Sequence, residues 1–171
     1  MRSCVKVWPP GGPQEQRWGC RISFSQLAEA YGKAWRVREG LSTLDEAIAV
    51  AQNNGEHSHE AELYRLKGQL TLQLGQLTDN SEHSQPRDTV PGSQSDTEAE
   101  ACFRRAIEIA RQQRAKSWEL RATASLARLL AQQGHGDEAR AMLGEIYGWF
   151  TEGFDTADLK EAKALIDELS R

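Results

Sequence analysis

The nine-residue stretch AEACFRRAI at residues 99–107 places alanine, phenylalanine, alanine and isoleucine at successive spacings of four, three and one. The same spacing of small and apolar residues recurs in GLSTLDEAI at 40–48 and in ARAMLGEIY at 139–147. Each copy lies in a segment with the apolar period of an α-helix. Because a recurring helical unit cannot bury its apolar face alone, the copies must stack on their neighbours. The sequence therefore predicts an all-α helical-repeat solenoid.

The periodic part of the chain divides into three helix pairs and a C-terminal capping helix. We expect the third helix to end at Gly75, because glycine accepts the left-handed geometry of a helix C-terminus. We expect the fourth helix to start at a capping box formed by Thr97 and Glu100. The predicted helices begin near residues 23, 37, 58, 97, 117, 137 and 156.

Two stretches fall outside this periodic pattern. The sequence WPPGGP at 8–13 excludes a helix, so residues 1–22 are predicted to be an irregular arm before a repeat domain at 23–171. Residues 76–96 are polar and carry proline, glycine and serine, and we expect them to form a mobile insertion.

The insertion explains an uneven spacing of the repeated motif. Ala106 and Ile146 are 40 residues apart, whereas Ala47 and Ala106 are 59 residues apart. The excess of 19 residues is close to the length of the segment 76–96. We therefore expect a period near 40 that is interrupted between the two helices of the second pair.

Bulk composition excludes several classes of protein. A net charge of −4 argues against a nucleic-acid binder, which usually has a basic face. No segment approaches the ~18 consecutive apolar residues of a membrane span, and the start of the chain does not resemble a signal peptide. The cysteines Cys4, Cys20 and Cys102 form no C-x-x-C motif, which favours reduced thiols and a cytoplasmic location. Cys102 is expected to be a small core residue.

Motifs that would indicate catalysis or a cofactor are missing from the sequence. The turn at 134–137 has two glycines but neither the preceding strand nor the lysine of a phosphate-binding loop. No nucleophile elbow occurs, and the carboxylates at helix starts are explained by the helix dipole. His57 and His59 lie two positions apart, which favours a solvated helix start over a metal site. We expect no catalytic residue, no cofactor and no metal.

The first predicted helix resembles the tetratricopeptide repeat, whose first helix reads W-x2-L-G-x2-Y. The matching residues are Phe24, Leu27, Ala28 and Tyr31, and weaker copies of the motif start at Tyr64 and near Leu126. The resemblance covers about residues 24–171. It implies a right-handed stack of helix pairs that binds proteins.

Three C-terminal segments resemble the tail of large bacterial signalling ATPases. They are KSWELR at 116–121, SLARL at 125–129 and YGWFTEGFDTADLK at 147–160. In those proteins a cyclase-like or DNA-binding module precedes an ATPase module, and tetratricopeptide-like repeats close the chain. The resemblance implies a regulatory, protein-binding segment and transfers no activity.

The resemblance also implies a concave groove lined by the first helix of each pair. Arginine and glutamine in such a groove are suited to an acidic or extended peptide through charge-assisted hydrogen bonds. The alternative is that these residues belong to an ordinary solvated face. The groove positions are Glu29, Lys33, Arg65, Gln69, Gln73, Arg121, Arg128 and Gln132.

Four aromatic residues form a second candidate surface, which we call the aromatic corner: Tyr147, Trp149, Phe150 and Phe154. One interpretation is a packed corner in which the last helix folds back over the third pair. The other is an exposed anchor for a protein partner or for a second copy of the chain. The expected partner is thus a protein or peptide, with a homodimer as the alternative and with neither nucleic acid nor membrane.

Overall fold

The computed structural model describes residues 36–54, 59–81 and 93–170, which form six α-helices and no β-strand. Each helix carries an apolar stripe that faces its neighbours, as expected for amphipathic helices. The helices are α1 (Val37–Asn54), α2 (Glu60–Ser81), α3 (Gln94–Gln112), α4 (Lys116–Gln132), α5 (Gly136–Tyr147) and α6 (Ala157–Glu168).

The helices pack as a stack of pairs. Each helix contacts the next one along the chain, and α4 also contacts both α2 and α6. The helices α2, α4 and α6 therefore lie side by side in one row, with α3 and α5 behind them. This arrangement confirms the predicted all-α helical-repeat solenoid and places α6 where a further first helix would lie. The arm at 1–22 and the helix expected from residue 23 lie outside the described residues.

The repeated motif forms the core of the stack. Its central large residues, Leu44, Phe103 and Leu143, are at most 1% exposed. Ala99 and Ala139, four residues earlier in their copies, are fully buried and let neighbouring helices approach closely. Truncating Phe103 to alanine would remove a fully packed side chain, a change that costs about 3–5 kcal/mol in other cores.

The predicted end of the third helix is wrong. Helix α2 continues through Gly75 to Ser81. Gly75 serves close packing rather than capping, because a Cβ there would overlap the side chain of Ser95 at the start of α3. Gly68, earlier on the same helix, has the same role, since a Cβ added there would lie 2.6 Å from Cε1 of Phe103. Two glycines thus bring α2 and α3 together.

The predicted start of the fourth helix is also wrong, by about one turn. Helix α3 begins at Gln94 with Ser93 as its N-cap, and Ser93 forms a reciprocal capping box with Asp96. Both backbone-to-side-chain hydrogen bonds measure 3.2 Å. The pair Thr97 and Glu100 has a similar pattern but lies inside the helix. The expected insertion is therefore shorter at both ends, and residues 82–92 lie outside the described residues.

The two short turns that flank α4 share one hydrogen-bond pattern. Before α4, the amide of Ala115 donates to the carbonyl of Ala110 at 2.9 Å. After α4, the amide of His135 donates to the carbonyl of Leu130 at 2.8 Å. The predicted stop at Gly134 is confirmed, with a φ of 86°. The equivalent position in the first turn is Arg114, a non-glycine residue at a φ of 56°.

Candidate functional site

A cleft of about 230 Å³ opens between α2, α4 and α6. Arg121 and Arg128 project into it from α4, where a separation of seven residues places them on one helix face. Arg65 and Gln69 reach it from α2, four residues apart. The remaining lining residues are Leu66, Leu120, Ala124, Ser125, Asp158 and Glu161.

The cleft gathers some of the predicted groove residues and not others. Arg65, Gln69, Arg121 and Arg128 line it together. The other described members of the predicted set, Gln73 and Gln132, lie further along α2 and α4 and are not among its lining residues. Glu29 and Lys33 lie outside the described residues.

The side chain of Arg65 is buried and paired within α2. It is only 8% exposed and makes a bidentate contact with Glu62, in which Nε and one terminal nitrogen each donate at 2.7 Å. Both groups lie on α2, three residues apart, so the helix itself sets their geometry. Arg65 thus lines the cleft, and its guanidinium already has a carboxylate partner within α2.

Arg121 and Arg128 remain accessible, with side chains 36% and 38% exposed. Arg121 lies 3.2 Å from Glu62, 3.6 Å from Asp158 and 5.3 Å from the centre of the Trp118 ring. Arg128 donates a hydrogen bond to Glu161 of α6. Each guanidinium has five N–H donors, more than these contacts use.

The cleft is electrically balanced, because three carboxylates accompany its three arginines. Sequence reasoning missed all three acids. Glu62 was detectable from its helical spacing to Arg65. Asp158 and Glu161 were not, because only the packing of α6 against α4 brings them to the arginines.

Glu119 lies in the first turn of α4 and holds the N-terminal end of that helix in place. It is 3% exposed and accepts hydrogen bonds from Arg111 at 2.8 Å and from Lys116 at 2.7 Å. Burial by itself raises the pKa of Glu119, but these two hydrogen bonds outweigh that effect and the pKa lies below its ordinary value. The carboxylate therefore ties the end of α3 to the start of α4 in its charged form.

His59 differs from its expected solvated position. It is half-buried, and its ring centre lies 6.1 Å from that of Trp118. Its Nδ1 atom is buried and has no hydrogen-bond partner among the described residues. Among the described residues no group of three or more His, Cys, Asp or Glu side chains is arranged to hold a metal ion. His57 lies outside them.

Cys102 is half-buried rather than part of the core, and partial burial raises the pKa of its thiol. Its neighbour Phe103 takes the core position instead. Cys4 and Cys20 lie outside the described residues. None of the described helices is both long and apolar enough to cross a membrane.

The aromatic corner divides into two parts. Tyr147 and Phe150 are half-buried and pack against the main core, whereas Trp149 is 58% exposed and Phe154 is 46% exposed. Tyr147 contacts Phe154 with ring centres 5.8 Å apart, and Trp149 meets Phe150 edge-on at 5.3 Å. Nζ of Lys116 lies 5.6 Å from the centre of the Trp149 ring. Two of the four rings are thus packed and two are exposed.

Comparison with known proteins gives a structural likeness but no sequence match. No family model matches the chain, and no curated protein matches it. Among solved structures, the chain is similar to a putative kinesin light chain from Podosopora anserina with nearly identical TPR-like repeats. The likeness covers 86% of this chain and 84% of that one, with 14% identity and a TM-score of 0.43. At this level it says nothing about a ligand, and the fold assignment rests on the helix contacts.

Proposed function

We propose that this chain is a non-catalytic protein-interaction module that holds an extended, carboxylate-bearing segment of a partner protein in the cleft. The observation that carries the proposal is the pair of accessible guanidiniums, Arg121 and Arg128, on one face of α4. A guanidinium recognises a carboxylate through two parallel hydrogen bonds. Two guanidiniums at a fixed distance therefore select both the charge of a ligand and the spacing of its carboxylates.

The spacing of the two arginines suits an extended ligand. Seven residues of α-helix correspond to a rise of about 10 Å. About three residues of extended chain cover the same distance. Gln69 lies exposed on the opposite wall and offers an amide that can donate to or accept from a peptide backbone.

Helix α6 supplies competitors to such a ligand. Asp158 and Glu161 are 43% and 61% exposed and already contact the two arginines. Exposed ion pairs of this kind contribute about 0–1 kcal/mol each, so a ligand carboxylate can replace them at low cost. Because these acids compete for the arginines, a ligand that contacts both arginines at once is favoured over one that contacts a single arginine.

Binding of a fluorescein-labelled peptide of alternating Gly and Glu, followed by fluorescence anisotropy with the full chain, tests the proposal. Replacing Arg121 and Arg128 together by Gln should weaken binding by about ten-fold or more, since hydrogen bonds to charged groups contribute about 1.5–3 kcal/mol each. The pair Asp158→Asn and Glu161→Gln should instead tighten binding by a few-fold, because it removes the competing carboxylates.

Two controls accompany this measurement. Val50→Ala changes an exposed side chain on α1, away from the cleft, and should leave binding unchanged. A peptide of alternating Gly and Lys should not compete for the cleft. Binding that survives the double arginine replacement, or no binding of the acidic peptide at all, would contradict the proposal.

The segments at 116–121, 125–129 and 147–160 support a more specific context. Their resemblance to the tail of bacterial signalling ATPases and cyclase–ATPase regulators leads us to propose that the module is the regulatory repeat segment of such a protein. An in-frame ATPase or cyclase sequence upstream of Met1 in the gene is the expected finding. An upstream region without one would favour a free-standing adaptor.

Self-association is the alternative function, and the exposure of Trp149 and Phe154 is the observation that favours it. Light scattering on the full chain separates the two. The cleft proposal expects a monomer, whereas self-association through the aromatic corner expects a dimer that Trp149→Ala converts to a monomer.

A further inference from the structure

The connection between α5 and α6 combines aromatic and acidic side chains. From Glu145 to Asp158 the chain carries four aromatic residues and four carboxylates, with no lysine or arginine. Glu145, Glu152 and Asp155 are exposed, and none of the three forms an ion pair in the described part of the chain. This connection therefore carries a net negative charge of its own, with Lys116 of α4 as a cation beside Trp149.

The two exposed aromatic rings are unusual within this molecule. Only three large apolar side chains of the described residues are exposed, and two of them, Trp149 and Phe154, lie here. Tryptophan and tyrosine are enriched among the residues that dominate protein interfaces. The third exposed residue, Val50, lies on α1.

A cation already approaches one of these rings. Nζ of Lys116 lies 5.6 Å from the centre of the Trp149 ring, within the range of a cation–π contact. Lys116 also donates a hydrogen bond to Glu119 and is anchored there. Trp149 nevertheless remains 58% exposed, which leaves most of its surface for a second cation.

We propose that the aromatic corner, together with Glu152 and Asp155, binds a basic segment of a partner protein. A lysine or arginine side chain lies against Trp149 and Phe154, and the two carboxylates pair with the flanking basic residues. Cation–π contacts and unpaired acids act in the same direction, so charge complementarity selects a basic ligand. This surface is separate from the arginine-lined cleft, which has the opposite preference.

Other occupants fit this surface less well. A phosphate backbone or an anionic lipid surface would be repelled by the local negative charge. A second copy docked by a two-fold axis would place the same unpaired carboxylates opposite each other. Like charges brought together at an interface oppose binding.

The test uses the full chain and a fluorescein-labelled peptide of alternating Gly and Arg, with binding measured by anisotropy. Trp149→Ala should weaken binding by about five-fold, as expected for the loss of one cation–π contact. Glu152→Gln with Asp155→Asn should weaken binding and also flatten its dependence on salt between about 50 mM and about 200 mM. Val50→Ala, the matched exposed apolar control, should bind as the wild type does.

Three outcomes would overturn the inference: unchanged binding by Trp149→Ala, an equal loss in Val50→Ala, or equal binding of a Gly-Glu peptide at this surface. A dimer seen by light scattering and lost in Trp149→Ala would identify a second copy as the occupant instead. Unfolding midpoints in urea confirm that each variant is folded. Replacing Arg121 and Arg128 by Gln should leave Gly-Arg binding intact, which separates this inference from the cleft proposal.

Discussion

The cleft and the aromatic corner both involve α4, the cleft through Arg121 and Arg128 and the corner through the contact of Lys116 with Trp149, and they differ in which side chains are buried. In the cleft, Arg65 is buried and paired with Glu62 through two hydrogen bonds. In the corner, Trp149 is exposed although it is the largest apolar side chain of the group. The charged residue is thus structural and the aromatic residue is available.

The difference teaches that residue type alone does not identify a binding group. Removing one partner of a buried, bidentate arginine pair destabilises the fold, because an uncompensated charge then stays buried. A tryptophan left in water contributes little to folding and keeps its surface for a ligand. Three measurements bear on this contrast, in order of decreasing effect.

The largest effect is expected from Glu62→Gln in the cleft. The change removes the charge that compensates buried Arg65, and such losses cost about 3–5 kcal/mol. We expect a free energy of unfolding lowered by about 3 kcal/mol, measured by urea denaturation. Glu161→Gln is the matched control: its ion pair is exposed, so the cost should stay below about 1 kcal/mol. Equal effects of the two changes would show that Arg65 and Arg128 are equivalent after all.

In the aromatic corner, Phe150→Ala should destabilise the fold more than Trp149→Ala. Phe150 packs against the main core, so its truncation should cost about 2 kcal/mol. Trp149 is largely exposed, and its replacement should cost less than about 1 kcal/mol. Urea denaturation measures both. The reverse order would mean that Trp149 is a packing residue and would remove the basis for its proposed ligand contact.

The smallest effect concerns Glu119, a buried acid whose cations are more exposed. Its pKa is lower in the folded chain than its ordinary value, so its charged form stabilises the fold at neutral pH. That contribution is lost as the pH falls below about 4.5 and through the lower folded-state pKa. We expect Glu119→Gln to cost about 1 kcal/mol at neutral pH and nothing at the acid end.

Urea denaturation of wild type and Glu119→Gln from neutral pH down to about pH 3 provides the measurement. The two curves of unfolding free energy against pH should converge on acidification. Parallel curves would indicate that the carboxylate keeps an ordinary pKa in the folded chain. Lys116→Gln is a useful companion, because it removes one of the two donors and the cation near Trp149 together.

Much of the fold was predictable from local sequence. The spacing of Ala99, Phe103 and Ala106 fixes a helix face, and the face must be buried. The stop at Gly134 follows from the conformational freedom of glycine. The errors arose where local signals were ambiguous. Gly75 resembles a helix stop but lies inside α2, and two overlapping capping patterns were compatible with the start of α3.

The candidate site was predictable only in part. Sequence reasoning used the tetratricopeptide resemblance to place Arg121 and Arg128 in one groove, and it identified an aromatic cluster that starts with Tyr147 at the end of α5 and continues into the connection to α6. It did not reveal that Gln73 and Gln132 fall outside the cleft. It also did not reveal which aromatic residues are exposed, since that depends on how α6 packs against α4 and α5.

The sequence by itself determined that this chain is a stack of amphipathic helices, because the periodicity of apolar and small residues is a local property. Tertiary structure alone decided which charges pair between helices and which rings face water. Asp158 and Arg121 are 37 residues apart in sequence, and Glu161 and Arg128 are 33 apart. Their contacts form only when α6 docks beside α4, since electrostatic interactions depend on distance in space rather than on position along the chain.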